Sequence, residues 1–417
     1  MRNQPRTFVF YHHEPFGPFS IEQLWRGQAR FGGSVARLRL LFALARRGHA
    51  VIIAGNVSAS EYEGVRGVPV ARLRELDLCA LEPAAVLVLN NPPSEDDWEE
   101  HLATRRGRVP SLIWAGNHFA DTWLERLQRQ EIDRIVCVSR WHRECYRMFA
   151  GFERLEVSYS GVDKDFLAPR RAPEEERLLS LSVPRRTKGI DRLLAAWRLV
   201  HVARPKARLL ISGAASMHDP RAALGPSGLL DADVEAEFAD LLTEPQRSGI
   251  ELLGARDATE VYSTLAGATL AIVNPSFTGA ETFCRSAVEA QASGVPVLGA
   301  SCGALPEVIA AGRTGALYTR DDPHALADAI LELLRDRSLL ADMGRFGPAW
   351  ANWLADYDLI APDWEAMSER AERDQPAPAE PRALEDRLRT LGYGRVRSRL
   401  RAALTPQARA LLRRALS

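Results

Sequence analysis

The 417-residue chain is poor in cysteine, and the spacing of its cysteines excludes two common classes of protein. There are five cysteines, an odd number, and no two of them form a C-x-x-C pair. This pattern fits neither a disulfide framework nor a zinc ribbon. We therefore expect a reducing, cytoplasmic environment.

The chain also lacks an excess of charge and a long apolar run. Its 54 basic residues balance 54 acidic ones, so no field of the whole molecule favours nucleic acid as a partner. Apolar runs such as LLFALA end at arginine well short of the about 18 residues that cross a bilayer. The opening MRNQPRTFVFYHH has no long apolar stretch, so we expect neither a secretory signal nor a membrane span.

Short β-branched or aromatic runs alternate with amphipathic stretches along most of the chain. The first series is TFVFYHH, AVIIAGN, AVLVLNNPP, SLIWAG and RIVCVS, and the second is LLSLSV, ARLLISG, IELLG, LAIVNPS, VPVLGA and GALYT. This alternation predicts parallel sheets with crossover helices. A polar, proline-containing stretch at 168–176 separates the two series. The predicted fold class is therefore α/β, with two Rossmann-like domains that face each other across a cleft.

Five segments follow from this pattern. We expect an N-terminal Rossmann-like domain, a C-terminal Rossmann-like domain, a helical segment that returns to the N-terminal domain, a Pro-Ala linker and a basic helical tail, at 1–170, 171–350, 351–374, 375–381 and 382–417. The tail has ten arginines, two acidic residues and leucines at helical spacing. Such helices pack on the body or in a dimer, bind a protein partner, or rest on anionic lipid, and all remain open.

Ligands of open α/β sheets bind at the carboxyl ends of the strands, so we searched the loops that follow them. Gly32 and Gly33 precede a predicted helix whose first amides suit a phosphate or sugar oxygen. In the second half, Arg185, Arg186 and Lys188 lie between a strand and a helix. Three cations there oppose the helix dipole, which favours a bound diphosphate, although a solvated basic loop is the alternative.

Two glutamates separated by seven residues lie in the segment LAIVNPSFTGAETFCRSAVEAQASGVPVLGA. Glu289 falls within the predicted helix and can accept two hydroxyls of a ribose. Glu281 precedes the helix and can reach a polyhydroxyl group beyond the phosphates. The amides of Thr282, Phe283 and Cys284 would face the anion between them.

These motifs resemble those of the family 4 retaining glycosyltransferases, which have the GT-B fold. The E-x7-E region is ETFCRSAVEAQASGVPVL, and further segments of the resemblance include FGGSVARLRLLFALARRGHAV, YSGVDKDFL, RTKGIDRLLAAW and CGALPEVIAAGRTGALY. The resemblance implies transfer of a sugar, with retained anomeric configuration, to a hydroxyl of a glycan, glycolipid or metabolite. The donor would be a nucleotide-diphosphate-sugar, UDP- or GDP-linked, and no metal or other cofactor is implied.

The resemblance also assigns roles by position. Glu289 would bind the donor ribose, Glu281 would contact the donor sugar and Lys188 would bind the diphosphate. Gly33 would lie near the diphosphate, and His118 resembles the family's histidine after an N-domain strand.

The chain departs from the family pattern at several positions of the donor site. Val183 stands where the family has a phosphate-binding arginine, so Arg185 or Arg186 must substitute for it. Thr282 and Cys284 stand where glycine is frequent, and an arginine at position 285 replaces an apolar residue. These departures concern the identity of the donor sugar more than the reaction.

The mechanism implied by the resemblance is front-face substitution. The acceptor hydroxyl attacks the anomeric carbon on the side from which the diphosphate leaves, so no protein nucleophile is required. Lys188 and an arginine would stabilise the charge that develops on the leaving group. The departing phosphate oxygen can take the acceptor proton.

The acceptor site is predicted in the loops of the N-terminal domain. His12, His13, Trp25 and Arg30 are the candidates, because Trp and His stack on sugar faces and Arg binds anions. Local loop packing is the alternative for each. We expect synthesis of a surface polysaccharide or lipopolysaccharide by a cytoplasmic enzyme, with peripheral contact at the inner face of the membrane through 382–417 as an open alternative.

Three other readings use the same residues. A nucleotide-sugar epimerase would isomerise the donor without an acceptor, and a degenerate partner would bind nucleotide-sugar without turnover. A phosphorylase needs a lysine for pyridoxal phosphate, and the chain has only Lys164, Lys188 and Lys206. Asp231 and Asp233 match the D-x-D metal motif of another glycosyltransferase fold, but aspartate at a helix start is ordinary capping.

Overall fold

The computed structural model describes residues 5–12, 18–28, 37–76, 85–90, 109–172, 175–217, 221–278 and 281–378. The predictions for His13, Arg30, Gly32, Gly33 and the tail 382–417 concern positions outside these residues.

The first half of the chain forms an eight-stranded sheet in the order β3-β4-β2-β1-β5-β6-β7-β8. Only the pairing of β3 with β4 is antiparallel among its strand pairs in the described residues. The strands are β1 (Thr7–His12), β2 (Ala50–Gly55), β3 (Ser60–Tyr62), β4 (Val65–Pro69), β5 (Ala85–Asn90), β6 (Ser111–Ala115), β7 (Arg134–Cys137) and β8 (Leu155–Val157).

Short helices connect these strands. They are α1 (Ile21–Trp25), α2 (Leu40–Arg46), α3 (Asp121–Gln128) and α4 (Arg140–Glu144). α1 begins with a capping box between Ser20 and Gln23, and the Ser139 side chain caps α4 by accepting from the amide of His142. These caps satisfy amides that a helix cannot pair internally.

The second half forms a six-stranded, fully parallel sheet in the order β11-β10-β9-β12-β13-β14. The strands are β9 (Arg177–Leu181), β10 (Arg208–Ser212), β11 (Ile250–Gly254), β12 (Leu270–Val273), β13 (Val297–Ala300) and β14 (Gly315–Tyr318). Their apolar runs are nearly continuous because helices cover both faces of a parallel sheet. The prediction of two α/β halves with parallel sheets is confirmed.

The helices of the second half surround this sheet, and a last helix leaves it. They are α5 (Ile190–Ala203), α6 (Ala232–Glu237), α7 (Ala239–Leu242), α8 (Pro245–Ser248), α9 (Ala258–Leu265), α10 (Arg285–Ala292), α11 (Leu305–Val308), α12 (Pro323–Arg335), α13 (Arg337–Ala355) and α14 (Tyr357–Glu372). In the described part of the chain, no helix combines the length and the apolar character that a membrane span requires.

α14 packs on α2 and so returns the chain to the first half. Its Trp364 is fully buried, with its ring 4.7 Å from Trp114 and 5.8 Å from Phe10. The indole N–H donates to the Ser158 hydroxyl over 2.9 Å. Residues near both ends of the chain therefore complete one core.

Trp364 offers a test of this packing. We expect Trp364→Ala to lower the free energy of unfolding by about 3–5 kcal/mol, because a large cavity replaces a buried ring. Urea denaturation followed by circular dichroism measures the loss. Val202, which is 85% exposed on α5, provides the control. Its replacement by alanine should change stability by less than about 0.5 kcal/mol, and an equal effect of both variants would contradict the packing described.

Candidate functional site

The two halves meet where loops at the carboxyl ends of their strands approach each other. Gly116 directly follows β6, and Thr282 lies three residues before the start of α10. The Thr282 hydroxyl donates to the Gly116 carbonyl over 2.7 Å. A hydrogen bond therefore links the two halves at the edge where open α/β sheets bind ligands.

A second link between the halves involves Glu307 on α11. Its carboxylate accepts the amides of Arg140 and Trp141, each over 3.1 Å, and the hydroxyl of Tyr159. An anion at a helix N-terminus accepts unpaired amides and interacts favourably with the helix dipole. The sequence analysis did not single out Glu307, because a glutamate in a short helix carries no pattern that distinguishes it.

Lys188 and Glu281 lie together on the loops that follow two neighbouring strands, β9 and β12. Lys188 Nζ donates to Glu281 Oε1 over 2.5 Å. Gly189 allows this approach, because its φ is +80° and a Cβ there would lie 2.3 Å from the Pro275 carbonyl oxygen. An ammonium has three donors, so one bond to Glu281 leaves capacity for a phosphate oxygen.

Arg185 and Arg186 are paired with carboxylates of the same half. Arg185 contacts Asp231 over 3.4 Å, and Arg186 donates to Asp233 over 2.6 Å. Hydrogen bonds that Arg186 donates to Asp233 and Glu237 raise its pKa above the ordinary value. The Asp231 side chain makes no cap hydrogen bond to α6, so the capping predicted for it is replaced by an ion pair.

The predicted donor segment forms a buried turn before α10. Thr282, Phe283 and Cys284 are all buried. Cys284 has a φ of +65°, a left-handed conformation that is uncommon outside glycine and is often found at functional sites. Burial raises the pKa of its thiol to about 12, so the side chain is neutral near pH 7.

Glu289 is not free within α10. Its Oε1 accepts from Arg285 Nε over 2.7 Å, and Arg285 Nη2 donates to Asp163 over 2.8 Å. Arg39 of the first half also donates to Asp163. Burial raises the pKa of Glu289, and the adjacent Arg285 opposes that shift. The only sign of this arrangement in the sequence is the unusual arginine at position 285.

His118 lies in an aromatic cluster after β6. Its ring is 5.4 Å from both Trp141 and His142, and its Nδ1 is 3.5 Å from the Tyr146 hydroxyl. Burial lowers the pKa of His118. A neutral imidazole can exchange hydrogen bonds with a sugar hydroxyl without carrying charge.

The two described acceptor candidates, His12 and Trp25, do not share one surface. His12 is buried at the end of β1, with its Nδ1 3.1 Å from Asn90 Nδ2. The ring of Trp25 packs 4.8 Å from Phe42 and lies 5.2 Å from the guanidinium of Arg39. Trp25 therefore makes the local contacts that were the alternative to acceptor binding.

A buried arginine near His12 was missed. Arg37 donates to Asn90 Oδ1 over 2.9 Å, and its guanidinium lies 4.9 Å from the Trp114 ring centre. Burial lowers its pKa to about 10. A Cβ on Gly116 would lie 2.7 Å from Arg37 Nη1, so glycine allows the guanidinium to approach the backbone there. Hydrophobic periodicity gave no sign of it, because arginine is rarely buried.

Comparison with known families explains this geometry. Residues 163–350 match the family model described as glycosyl transferases group 1. Residues 163–350 of this chain therefore resemble the glycosyl transferases group 1. The matched residues include Lys188, Glu281 and Glu289, and they begin at Asp163, which lies between β8 and β9.

Curated relatives match about half of the chain. The D-inositol 3-phosphate glycosyltransferase of Corynebacterium glutamicum is 34% identical over 201 residues, which are 46% of each chain. That of Mycolicibacterium smegmatis is 31% identical over 233 residues, which are 54% of this chain and 50% of the relative. The chain thus spans about half the length of these relatives.

Solved structures of low identity share the fold over most of the chain. Sucrose-phosphate synthase from Thermosynechococcus elongatus has a TM-score of 0.66 at 17% identity. The similarity covers 89% of this chain and 100% of the synthase chain. Anabaena HepE in complex with UDP-glucose has a TM-score of 0.63 at 17% identity, and the similarity covers 87% of this chain and 99% of the HepE chain. The chain therefore has the GT-B fold predicted from its sequence.

Among the described residues, no group of three or more His, Cys, Asp or Glu side chains lies close enough to hold a metal ion.

His142 gives a prediction about pH. Burial, with a smaller contribution from His118, lowers the pKa of His142 to about 3, below its ordinary value of 6.5. The unfolded chain therefore binds a proton between pH 6.5 and 3 that the folded chain does not, so stability falls as the pH falls through this window. Between pH 7 and pH 5 this loss is about 2 kcal/mol.

We expect His142→Gln to remove about 2 kcal/mol of the loss in stability between pH 7 and pH 5. Urea denaturation at both pH values measures it. His324 is exposed at the start of α12 and serves as the matched control. If His324→Gln flattens the pH dependence as much as His142→Gln does, the buried neutral imidazole is not the cause.

Proposed function

We propose that this protein is a retaining, metal-independent glycosyltransferase that moves a sugar from a nucleotide-diphosphate-sugar to an acceptor hydroxyl. The observation that carries the proposal is the 2.5 Å contact between Lys188 and Glu281 on adjacent loops. Their side chains are partly exposed, 34% and 18% respectively. The Thr282 contact to Gly116 places these loops beside the other half.

The donor would lie along the start of α10. Its diphosphate would be bound by Lys188 and by amides of residues 282–284, since a helix N-terminus favours an anion. Its ribose would bind Glu289, and its sugar would contact Glu281. A solved neighbour, Anabaena HepE, was crystallised with UDP-glucose, which supports a UDP-sugar as the first donor to test, with a GDP-sugar as the alternative.

Arg185 and Arg186 have a smaller part in this proposal than the sequence alone suggests. Carboxylates already neutralise both, so a diphosphate would have to displace Asp231 to gain Arg185. Lys188 has only Glu281 as its ion-pair partner among the described residues, and a donor sugar would also contact that glutamate. We therefore assign the larger share of leaving-group stabilisation to Lys188.

The reaction proceeds as a front-face substitution. The acceptor oxygen forms its bond to the anomeric carbon on the same face from which the bond to the diphosphate breaks. The electrons of that breaking bond pass to the diphosphate, whose oxygen takes the acceptor proton. Lys188 stabilises the charge on the leaving group, and neutral His118 orients a donor-sugar hydroxyl.

The acceptor would bind at the first half. Two acceptor classes have support. The curated relatives are named for D-inositol 3-phosphate, which favours a phosphorylated polyol. The arginine-rich composition of 382–417 favours a lipid-linked glycan at a membrane surface, in keeping with a role in surface polysaccharide or lipopolysaccharide synthesis.

Glu281→Ala tests the proposed role of this carboxylate. We expect turnover to fall by about 10²–10³-fold, because an interaction with the reacting sugar is lost. The dissociation constant for the nucleoside diphosphate should change by less than about threefold. Steady-state kinetics and calorimetry measure the two quantities.

Glu251 on β11 is exposed, and Glu251→Ala is the control that should leave both quantities unchanged. Equal losses of turnover and nucleotide affinity in Glu281→Ala would contradict the role assigned to Glu281. An isomerised nucleotide-sugar formed from donor alone would favour an epimerase, and nucleotide binding without turnover of any acceptor would favour a degenerate partner.

The membrane role proposed for the tail has its own test. We expect removal of residues 382–417 to abolish sedimentation with phosphatidylglycerol vesicles, because each arginine near an anionic surface contributes about 1 kcal/mol. Binding of the full chain should weaken as salt is raised. Neutral phosphatidylcholine vesicles are the control. Unchanged sedimentation of the shortened chain would rule out the tail as the membrane contact.

A further inference from the structure

Four side chains of alternating charge run from the first half of the molecule to α10. We call Arg39, Asp163, Arg285 and Glu289 the charge chain. Their side chains are only 6%, 3%, 15% and 16% exposed, respectively. Each neighbouring pair in the charge chain forms an ion pair, and the two cations balance the two anions.

Arg285 is the member of the charge chain whose position most needs explanation. It is the first residue of α10, where a cation opposes the helix dipole. Buried ion pairs recover their desolvation cost only with good geometry, and apolar residues of similar size often give equal stability. A contribution to stability alone therefore does not explain why an arginine occupies this position.

The geometry indicates what Arg285 does for Glu289. Its Nε holds Oε1 over 2.7 Å, one turn along the same helix, and so fixes the orientation of the carboxylate. No side chain or amide of the described residues donates to Oε2, which can therefore accept another donor. Burial alone would favour a neutral carboxyl, and the adjacent guanidinium favours the ionised form, which accepts stronger hydrogen bonds.

The other end of the charge chain holds Arg285 in place from the first half. Asp163 accepts from Arg285 Nη2 over 2.8 Å, and Arg39 donates to the same carboxylate. Arg39 in turn donates to the Leu24 carbonyl over 3.1 Å, near the end of α1. Its guanidinium lies 4.6 Å from the ring centre of Phe166, which lies between β8 and β9. The orientation of Glu289 therefore depends on contacts that begin in the other half.

We propose that Arg285 is a positioning residue for the donor ribose, which fixes the Glu289 carboxylate so that Oε2 accepts a ribose hydroxyl. Asp163 and Arg39 hold Arg285 in that position. This inference rests on the proposed function, in which Glu289 binds the ribose.

The test compares nucleotides that differ by one ribose hydroxyl. Full-length protein is titrated with UDP and GDP, and then with the 2′-deoxy and 3′-deoxy forms of the tighter one. For the unmodified protein we expect at least one deoxy form to bind about 10–100-fold more weakly, because a hydrogen bond to a carboxylate is lost. We call the dissociation constant of the deoxy nucleotide divided by that of the parent nucleotide the ribose ratio. In Arg285→Leu the ribose ratio should fall to about threefold or less, because Glu289 is no longer held in place.

Inorganic pyrophosphate separates positioning from general damage to the site. Its affinity depends on Lys188 and the amides before α10 in the proposed site, so Arg285→Leu should change it by less than about threefold. Circular dichroism and the thermal midpoint establish that each variant is folded. Arg129 forms an exposed i,i+4 pair with Glu125, and Arg129→Leu is the matched control that should keep the full ribose ratio.

A second pair of variants carries the test if Arg285→Leu does not fold. Arg285→Lys keeps the charge, but an ammonium cannot reproduce the planar fork that contacts Glu289 and Asp163 together. Asp163→Asn keeps the shape and removes the charge that holds Arg285. Both should lower the ribose ratio, although less than Arg285→Leu does.

The outcomes separate this inference from the function on which it rests. If Glu289→Gln loses the ribose ratio and the Arg285 and Asp163 variants keep it, the role of Arg285 is overturned and the donor site stands. If the unmodified protein itself binds the deoxy nucleotides as tightly as the parent nucleotide, the ribose role of Glu289 fails and the inference fails with it.

Discussion

The ion pair between Asp163 and Arg285 joins the segment between β8 and β9 to the first turn of α10, and the arrangement of the two halves depends on it. Its partners lie 122 residues apart in sequence and are almost excluded from solvent. Such a pair is costly to break, because removal of one partner leaves the buried charges unbalanced in a region of low dielectric. With Arg39 and Glu289 on either side, it fixes α10 relative to the first half. Two further links between the halves, from Thr282 to Gly116 and from Glu307 to the start of α4, are hydrogen bonds.

The charged side chains of the candidate site are also held in ion pairs. Lys188 is paired with Glu281, Arg186 with two carboxylates of α6, and Arg285 with Glu289. A nucleotide-diphosphate-sugar carries both an anion and hydroxyl groups, so it could bind the cation and the carboxylate of one pair at the same time. Exchange of one set of charge-assisted hydrogen bonds for another limits the desolvation cost of binding, and donors fixed in advance need little reorganisation during the reaction.

Much of this architecture could be predicted from the sequence, because it depends on local patterns. Apolar strands separated by amphipathic helices indicated two parallel sheets, and Lys188, Glu281 and Glu289 were identified from spacing and from the family resemblance. The interactions that could not be predicted join residues far apart in the chain. The contacts of Glu307 with α4 and of Arg285 with Asp163 depend on how the halves are placed, which periodicity does not encode. Asp231 shows the same limit, since its position before α6 indicated a cap and the fold instead brings it to Arg185.

The measurement that tests the central claim most directly needs no acceptor. The protein is incubated with UDP- and GDP-sugars in water, and proton NMR follows the anomeric configuration of the first sugar released, before it equilibrates in solution. If the space beside Lys188, Glu281 and Glu289 is the donor site of a retaining enzyme, slow hydrolysis should release the sugar with the configuration it had in the donor. Release of the opposite anomer, or no release from any donor, would contradict the account.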